Sequence, residues 1–133
     1  MNPNSTTKEI AKSGVFKIVE MLKVGENDVD ALIDVSMVLS KKYGDKSILT
    51  KSTIEKYFNR SGSISFIAIY QHEIIGYIIG IPIEKLSREP WARKDVNFGK
   101  SNTLYTYAFV IKETFFGNGY ARILKKVFLS NVA

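Results

Sequence analysis

The chain has 133 residues, 45% hydrophobic and 24% charged, with a formal charge of +6, which is the composition of a single ordinary globular domain. It contains no cysteine and one histidine, His72, so disulfides, thiolate metal sites and cysteine nucleophiles are excluded and a histidine-built metal centre is not expected. Any catalysis must use carboxylates, tyrosines, hydroxyls, amines or backbone groups.

The polar opening, residues 1–14, reads as a flexible N-terminus preceding one domain over 15–133. It has neither the apolar run of a secretory signal nor, anywhere downstream, the roughly 18 consecutive apolar residues of a membrane span. A cytoplasmic protein is expected. The run VFKIVEMLKV, residues 15–24, fits an edge strand or a short helix, and the strand is preferred. Asn27 and Asp28 then offer an N-cap to a helix in which Val29, Leu32, Ile33, Ser36 and Met37 share a face, with Gly44 at the C-cap position.

A shorter helix starts near Ser52, where Ser52 and Glu55 have capping-box spacing, carries Ile54, Tyr57 and Phe58, and ends by Gly62. Residues 63–70, SISFIAIY, and 74–83, IIGYIIGIPI, are β-branched and aromatic, and the short link Gln71-His72-Glu73 makes them an antiparallel hairpin. His72 falls at its tip, with no partner in sight to tune it. Gly76 and Gly80 mark a bulge, a close approach of another group, or a requirement of strand twist.

Residues 84–102 show no periodicity. A connection this long is either functional or a surface excursion pinned by Trp91 and Phe98. Leu104 to Ile111 reads as another strand, followed by a polar turn and the segment FFGNGYARILKKVF. Tyr120, Ile123, Leu124, Val127 and Phe128 form one helical stripe. A helix entered through Gly117-Asn118-Gly119 presents unpaired N–H groups and the positive end of its dipole, which suits a phosphate or pyrophosphate.

In element order and in two motifs the chain resembles the GNAT superfamily of acyl-CoA N-acyltransferases. IAIYQHEIIGYIIG is similar to that family's second and third strands, and AFVIKETFFGNGYARILKK to its fourth strand and acyl-CoA motif, with Phe116 where the family has Arg or Gln. The resemblance implies an α/β fold of α+β type: a mixed, mainly antiparallel sheet with flanking helices, in the order β-α-α-β-β-β-α and truncated after the cofactor-binding helix.

It also implies acetyl-CoA as co-substrate and a primary amine as acceptor. Backbone groups of Phe109 and Ile111 would meet the pantetheine arm. The amides of Gly117, Asn118, Gly119, Tyr120 and Ala121 would hold the pyrophosphate, with Phe116 opening the same cofactor-binding turn and Arg122 or Lys126 at phosphate or adenine. No carboxylate stands on the last strand, so Glu84, Glu89 and Tyr107 are the weak candidates for proton transfer. A homodimer completing the sheet is one expected partner. Membrane is not expected, and nucleic acid has no motif to support it beyond the positive charge. The alternative reading is a non-catalytic acyl-CoA-binding or interaction module.

Overall fold

The computed structural model describes residues 2–44, 48–59, 62–82 and 104–132. Their elements run β1 (Thr6–Ser13), β2 (Phe16–Lys23), α1 (Glu26–Tyr43), α2 (Lys51–Phe58), β3 (Ile64–Tyr70), β4 (Glu73–Pro82), β5 (Leu104–Ile111), a 3-10 turn (Glu113–Phe115) and α3 (Tyr120–Val132). The five strands form one sheet in the order β1-β2-β3-β4-β5, and each described pair is antiparallel.

Alternation along the strands sends side chains to two cores. Val19, Met21, Ile67, Tyr77, Ile79, Ile81 and Val110 pack beneath α1 and α2 through Leu32, Val35, Ile54 and Phe58. On the other face Phe16, Ile18, Phe66, Ile78 and Ile111 meet Leu124 and Phe128 of α3. The sheet is therefore covered on both sides by helices, which explains the nearly uninterrupted apolar sequence of β4.

The expected flexible N-terminus is corrected. Residues 6–13 form an edge strand paired with β2, because the polar sequence TTKEIAKS needs no core when most of it faces water. The segment before it docks on α1: Glu26 N–H donates to the Asn2 carbonyl at 2.8 Å and Asn27 N–H to the Pro3 carbonyl at 3.1 Å. The α1 N-cap is accordingly Gly25 rather than Asn27 or Asp28. A Cβ on residue 25 would sit 2.1 Å from the Asn4 carbonyl carbon, and the Asn27 side chain instead accepts from Ser5 N–H at 3.1 Å.

Two further local expectations shift by a few residues. The α2 capping box is Thr50 with Thr53, not Ser52 with Glu55, since threonine hydroxyls reach neighbouring amides as serine does. In α1 Val35 is buried and Met37 is half exposed; Ser36 is buried as expected, its hydroxyl accepting from Leu49 N–H at 2.8 Å. The β3–β4 hairpin turns on Gln71 and His72, both at positive φ, the backbone of a two-residue type I′ connection. Residues 84–102 lie outside the described residues.

Candidate functional site

The site is built where β5 ends and α3 begins. The Lys112 N–H closes the sheet by donating to the Ile75 carbonyl at 2.8 Å, and Phe115 and Phe116 N–H donate back to Lys112 and Glu113 carbonyls at 3.0 Å each. The chain then passes through Gly117 and Gly119, at φ +84° and +80°. Both conformations are strained for any residue with a Cβ. No atom lies within 4 Å of a Cβ built on either, so these glycines serve backbone shape and leave the surface above them open.

The first intrahelical bond is Ile123 N–H to the Gly119 carbonyl at 3.1 Å. Among the described residues, the amides from Gly117 to Arg122 have no protein acceptor. They sit at the positive end of a 13-residue helix dipole. This arrangement fits a phosphate or pyrophosphate group.

The cradle is fixed from below by aromatic packing. The Tyr120 ring stacks on Phe16 with centroids 4.4 Å apart and is tilted against Tyr70 at 5.8 Å, while Phe115 meets Tyr70 at 5.2 Å. Tyr120 thus ties α3 to the ends of β2 and β3, while its amide belongs to the cradle. Lys112 holds the other side through Asp34 at 3.1 Å and Glu73 at 3.3 Å. Burial pulls the Lys112 ammonium downward, but hydrogen bonds to the two carboxylates outweigh it and leave the pKa raised.

A cavity of about 370 Å³ adjoins the cradle, and Phe109, Ile111, Phe116 and Ala121 line it together with Val38 and Lys41 of α1. Four of the expected cofactor residues are thereby brought to one space. Phe116 is 60% exposed. Arg122 is not among them: with Lys125 and Lys126 it lines a separate groove on the outer face of α3. Lys42 borders the first cavity too, so the last turn of α1 supplies two ammonium groups, one of them, Lys41, paired with Glu113.

A second cavity, of about 640 Å³, lies beneath α1 and α2 and shares Leu39, Lys42 and Phe109 with the first. Its shape follows from an irregularity in β5. Ile79 pairs with Ala108 and Gly80 with Thr106, leaving Tyr107 as an extra residue. Such a bulge re-aims a side chain, and Tyr107 stacks on Tyr57 of α2 with centroids 4.3 Å apart. Tyr107 therefore belongs to this second space. Glu84 and Glu89 lie outside the described residues.

The sequence gives Lys41, Lys42 and Tyr77 no place in a site, and Tyr57 only a place on the shorter helix. Tyr77 did carry a signal: it is the one hydroxyl in the apolar run IIGYIIGI. Its side chain is fully buried, its hydroxyl has no hydrogen-bond partner among the described residues, and it lines the larger cavity. Burial, with a smaller contribution from Tyr107, pushes its pKa well above the ordinary phenol value. Among the described residues no cluster of His, Asp and Glu could hold a metal ion, and no helix is long and apolar enough to cross a membrane.

No family model matches the chain, and no curated protein matches it. Solved structures do. An aminoglycoside acetyltransferase from an uncultured soil metagenomic sample, in complex with trehalose, superposes with a TM-score of 0.60 at 17% identity, covering 90% of this chain and 71% of that one. The sisomicin complex superposes with a TM-score of 0.59 at 16% identity, covering 90% and 70%. At these identities the likeness is one of fold: a five-stranded antiparallel sheet with helices on both faces, arranged as in these acetyltransferases.

Proposed function

We propose that the chain is an acyl-CoA-dependent N-acyltransferase that moves an acetyl group from acetyl-CoA to a primary amine. The observation that carries this reading is the open amide cradle from Gly117 to Ala121 beside a cavity walled by Phe109, Ile111 and Phe116. The fold neighbours, which are acetyltransferases by name, support it.

In this reading the cradle amides hold the pyrophosphate of acetyl-CoA, and β5 backbone groups next to Phe109 and Ile111 align the pantetheine arm along that strand. Bound acetyl-CoA supplies an activated thioester carbonyl. Lys41 and Lys42 give a positive wall to the same cavity and complement the phosphates. The aromatic cluster of Phe16, Tyr70, Phe115 and Tyr120 keeps the cradle in its binding shape before the ligand arrives, which lowers the ordering cost of binding.

Titration calorimetry with acetyl-CoA tests the reading. Binding that is lost in the Gly119→Val variant is the expected result, and a folded sample that takes up no acetyl-CoA refutes it.

A second reading, a non-catalytic acyl-CoA-binding module, is favoured by one observation. Among the described residues lining the two cavities the single carboxylate is Glu113, and it is held by Lys41. Steady acetyl transfer to an amine by the purified chain removes this alternative.

A further inference from the structure

The carboxylate of Glu113 stands where an anion site would exclude one. The cavity beside the cradle is walled by Phe109, Ile111 and Phe116, by Lys41 and Lys42 of α1 and, among the described residues, by one carboxylate, that of Glu113. A cation in the last turn of a helix is what the helix dipole favours, so Lys41 and Lys42 need no further reason to be there. A three-residue turn has too few aligned peptides to give Glu113 the matching reason. It begins the turn that leads into the amides of Gly117 to Ala121, and there a negative charge opposes the ligand those amides fit.

The position of Glu113 is set by the main chain. Its carbonyl accepts Phe116 N–H at 3.0 Å, and Lys112 before it donates N–H to the Ile75 carbonyl at 2.8 Å. Its side chain pairs with the Lys41 ammonium. The neighbouring cation Lys112 is engaged by both Asp34 and Glu73 and is only 25% exposed, whereas the side chains of Lys41 and Glu113 are 70% and 46% exposed. A pair so exposed adds little to stability. It is an exchangeable contact: a phosphate entering the cavity can take Lys41 from Glu113, with at least the same charge and more acceptor oxygens.

We infer that Glu113 competes with the cofactor's phosphates for Lys41, giving it up when a polyphosphate binds and reclaiming it on release, and thereby holds down the affinity of the cradle for every phosphate-bearing ligand. The inference rests on the cofactor reading and adds to it a residue that sets affinity downward. In that reading substrate and product, acetyl-CoA and CoA, carry the same phosphates, so tight retention of the product would slow turnover. A carboxylate that reclaims Lys41 favours release.

The test is calorimetric titration of acetyl-CoA into four forms of the chain: wild type, Glu113→Gln, Lys41→Gln and the double variant. Glu113→Gln should bind about fivefold more tightly than wild type, the worth of one partly screened charge contact. Lys41→Gln should bind more weakly, with the double variant between the two, and CoA should follow the same order. At about 1 M sodium chloride, where the screening length is about 3 Å, the four affinities should draw together.

Equal or weaker binding by Glu113→Gln overturns the inference, and so do differences that survive high salt. A merely structural pair would lose affinity on removal of either partner and would not respond to screening. The two readings fail differently. Acetyl-CoA binding by wild type with no gain in Glu113→Gln sinks the competitor alone, whereas no uptake by any of the four forms sinks the cofactor reading and the inference with it.

Discussion

The Phe128 ring occupies the space that a side chain on residue 80 would need: a Cβ there would lie 2.7 Å from the ring's Cζ. Phe128 is itself buried, edge-on to Phe66 at 5.8 Å, so it has no free volume into which to retreat. Gly80→Ala should therefore cost about 1–3 kcal/mol as an overpacked core does, read as a lower denaturation midpoint. Pairing it with Phe128→Leu should return part of that loss, and simple additivity of the two would show that the contact is not the cause.

Gly76 poses the same problem in a harder form. A Cβ there meets the Val110 carbonyl oxygen at 2.6 Å as well as the Ile111 side chain at 2.3 Å. A backbone atom in a sheet cannot swing aside, so Gly76→Ala is expected to exceed Gly80→Ala in cost and to loosen β5 from β4. Amide exchange at Val110 and Ile111 measures this directly, and unchanged protection there would contradict it.

Gly117→Ala and Gly119→Ala should behave differently from both. No neighbour obstructs either methyl, and the cost is the left-handed backbone alone, about 1–2 kcal/mol. Acetyl-CoA affinity should fall further than stability does, because a methyl would stand in the cradle. Variants that lose stability but bind acetyl-CoA as wild type does would place the phosphates elsewhere.

Removing residues 1–5 should fray the start of α1. Glu26 and Asn27 would lose the Asn2 and Pro3 carbonyls as acceptors, and Gly25 N–H the Ser5 hydroxyl at 2.8 Å. Loss of an N-terminal cap is worth about 1 kcal/mol. Faster amide exchange confined to the first turns of α1 is the expected signature, and a change spread evenly over the chain would argue against local capping.

The alkaline limb of stability should carry the mark of Tyr77. Its folded pKa is raised by burial, so the folded chain keeps a proton that the unfolded chain gives up near pH 10. That contribution is complete below the unfolded value and is lost as the pH rises through and beyond it. Denaturation midpoints should fall less between about pH 8 and pH 11 in Tyr77→Phe than in wild type, and parallel curves would show that this phenol does not govern the limb.

Much of the architecture was legible because it rests on local residue pattern. The stripe of Leu124 and Phe128 repeats at helical spacing, while β-branched and aromatic runs mark the strands around Gln71-His72 and the one ending at Ile111. Strand β1 was missed because an edge strand facing water on most positions has no apolar alternation to display. Gly25 was missed for a different reason: its need for a bare backbone comes from Asn4, twenty-one residues away in sequence, and proximity of that kind has no local signature.

The site shows the same division. Gly117 and Gly119 announce a turn by their identity, whereas the direction of Tyr107 depends on a register shift in the β4–β5 ladder. The orphaned hydroxyl of Tyr77 depends on what fails to approach it. Both are properties of three-dimensional neighbours rather than of residue type.

The strand order β1-β2-β3-β4-β5 has a bearing on how the molecule is made. Because each described strand joins the edge left by the one before it, these strands can pair in the direction of synthesis, and among the described residues none is threaded between two earlier ones. Helix α3 follows them in the chain, and its Phe128 packs over the bare backbone of Gly80 in β4. The glycine cradle at its start therefore rests on strands that precede it in the chain, and its shape depends on β2, β3 and β4 being in place beneath it.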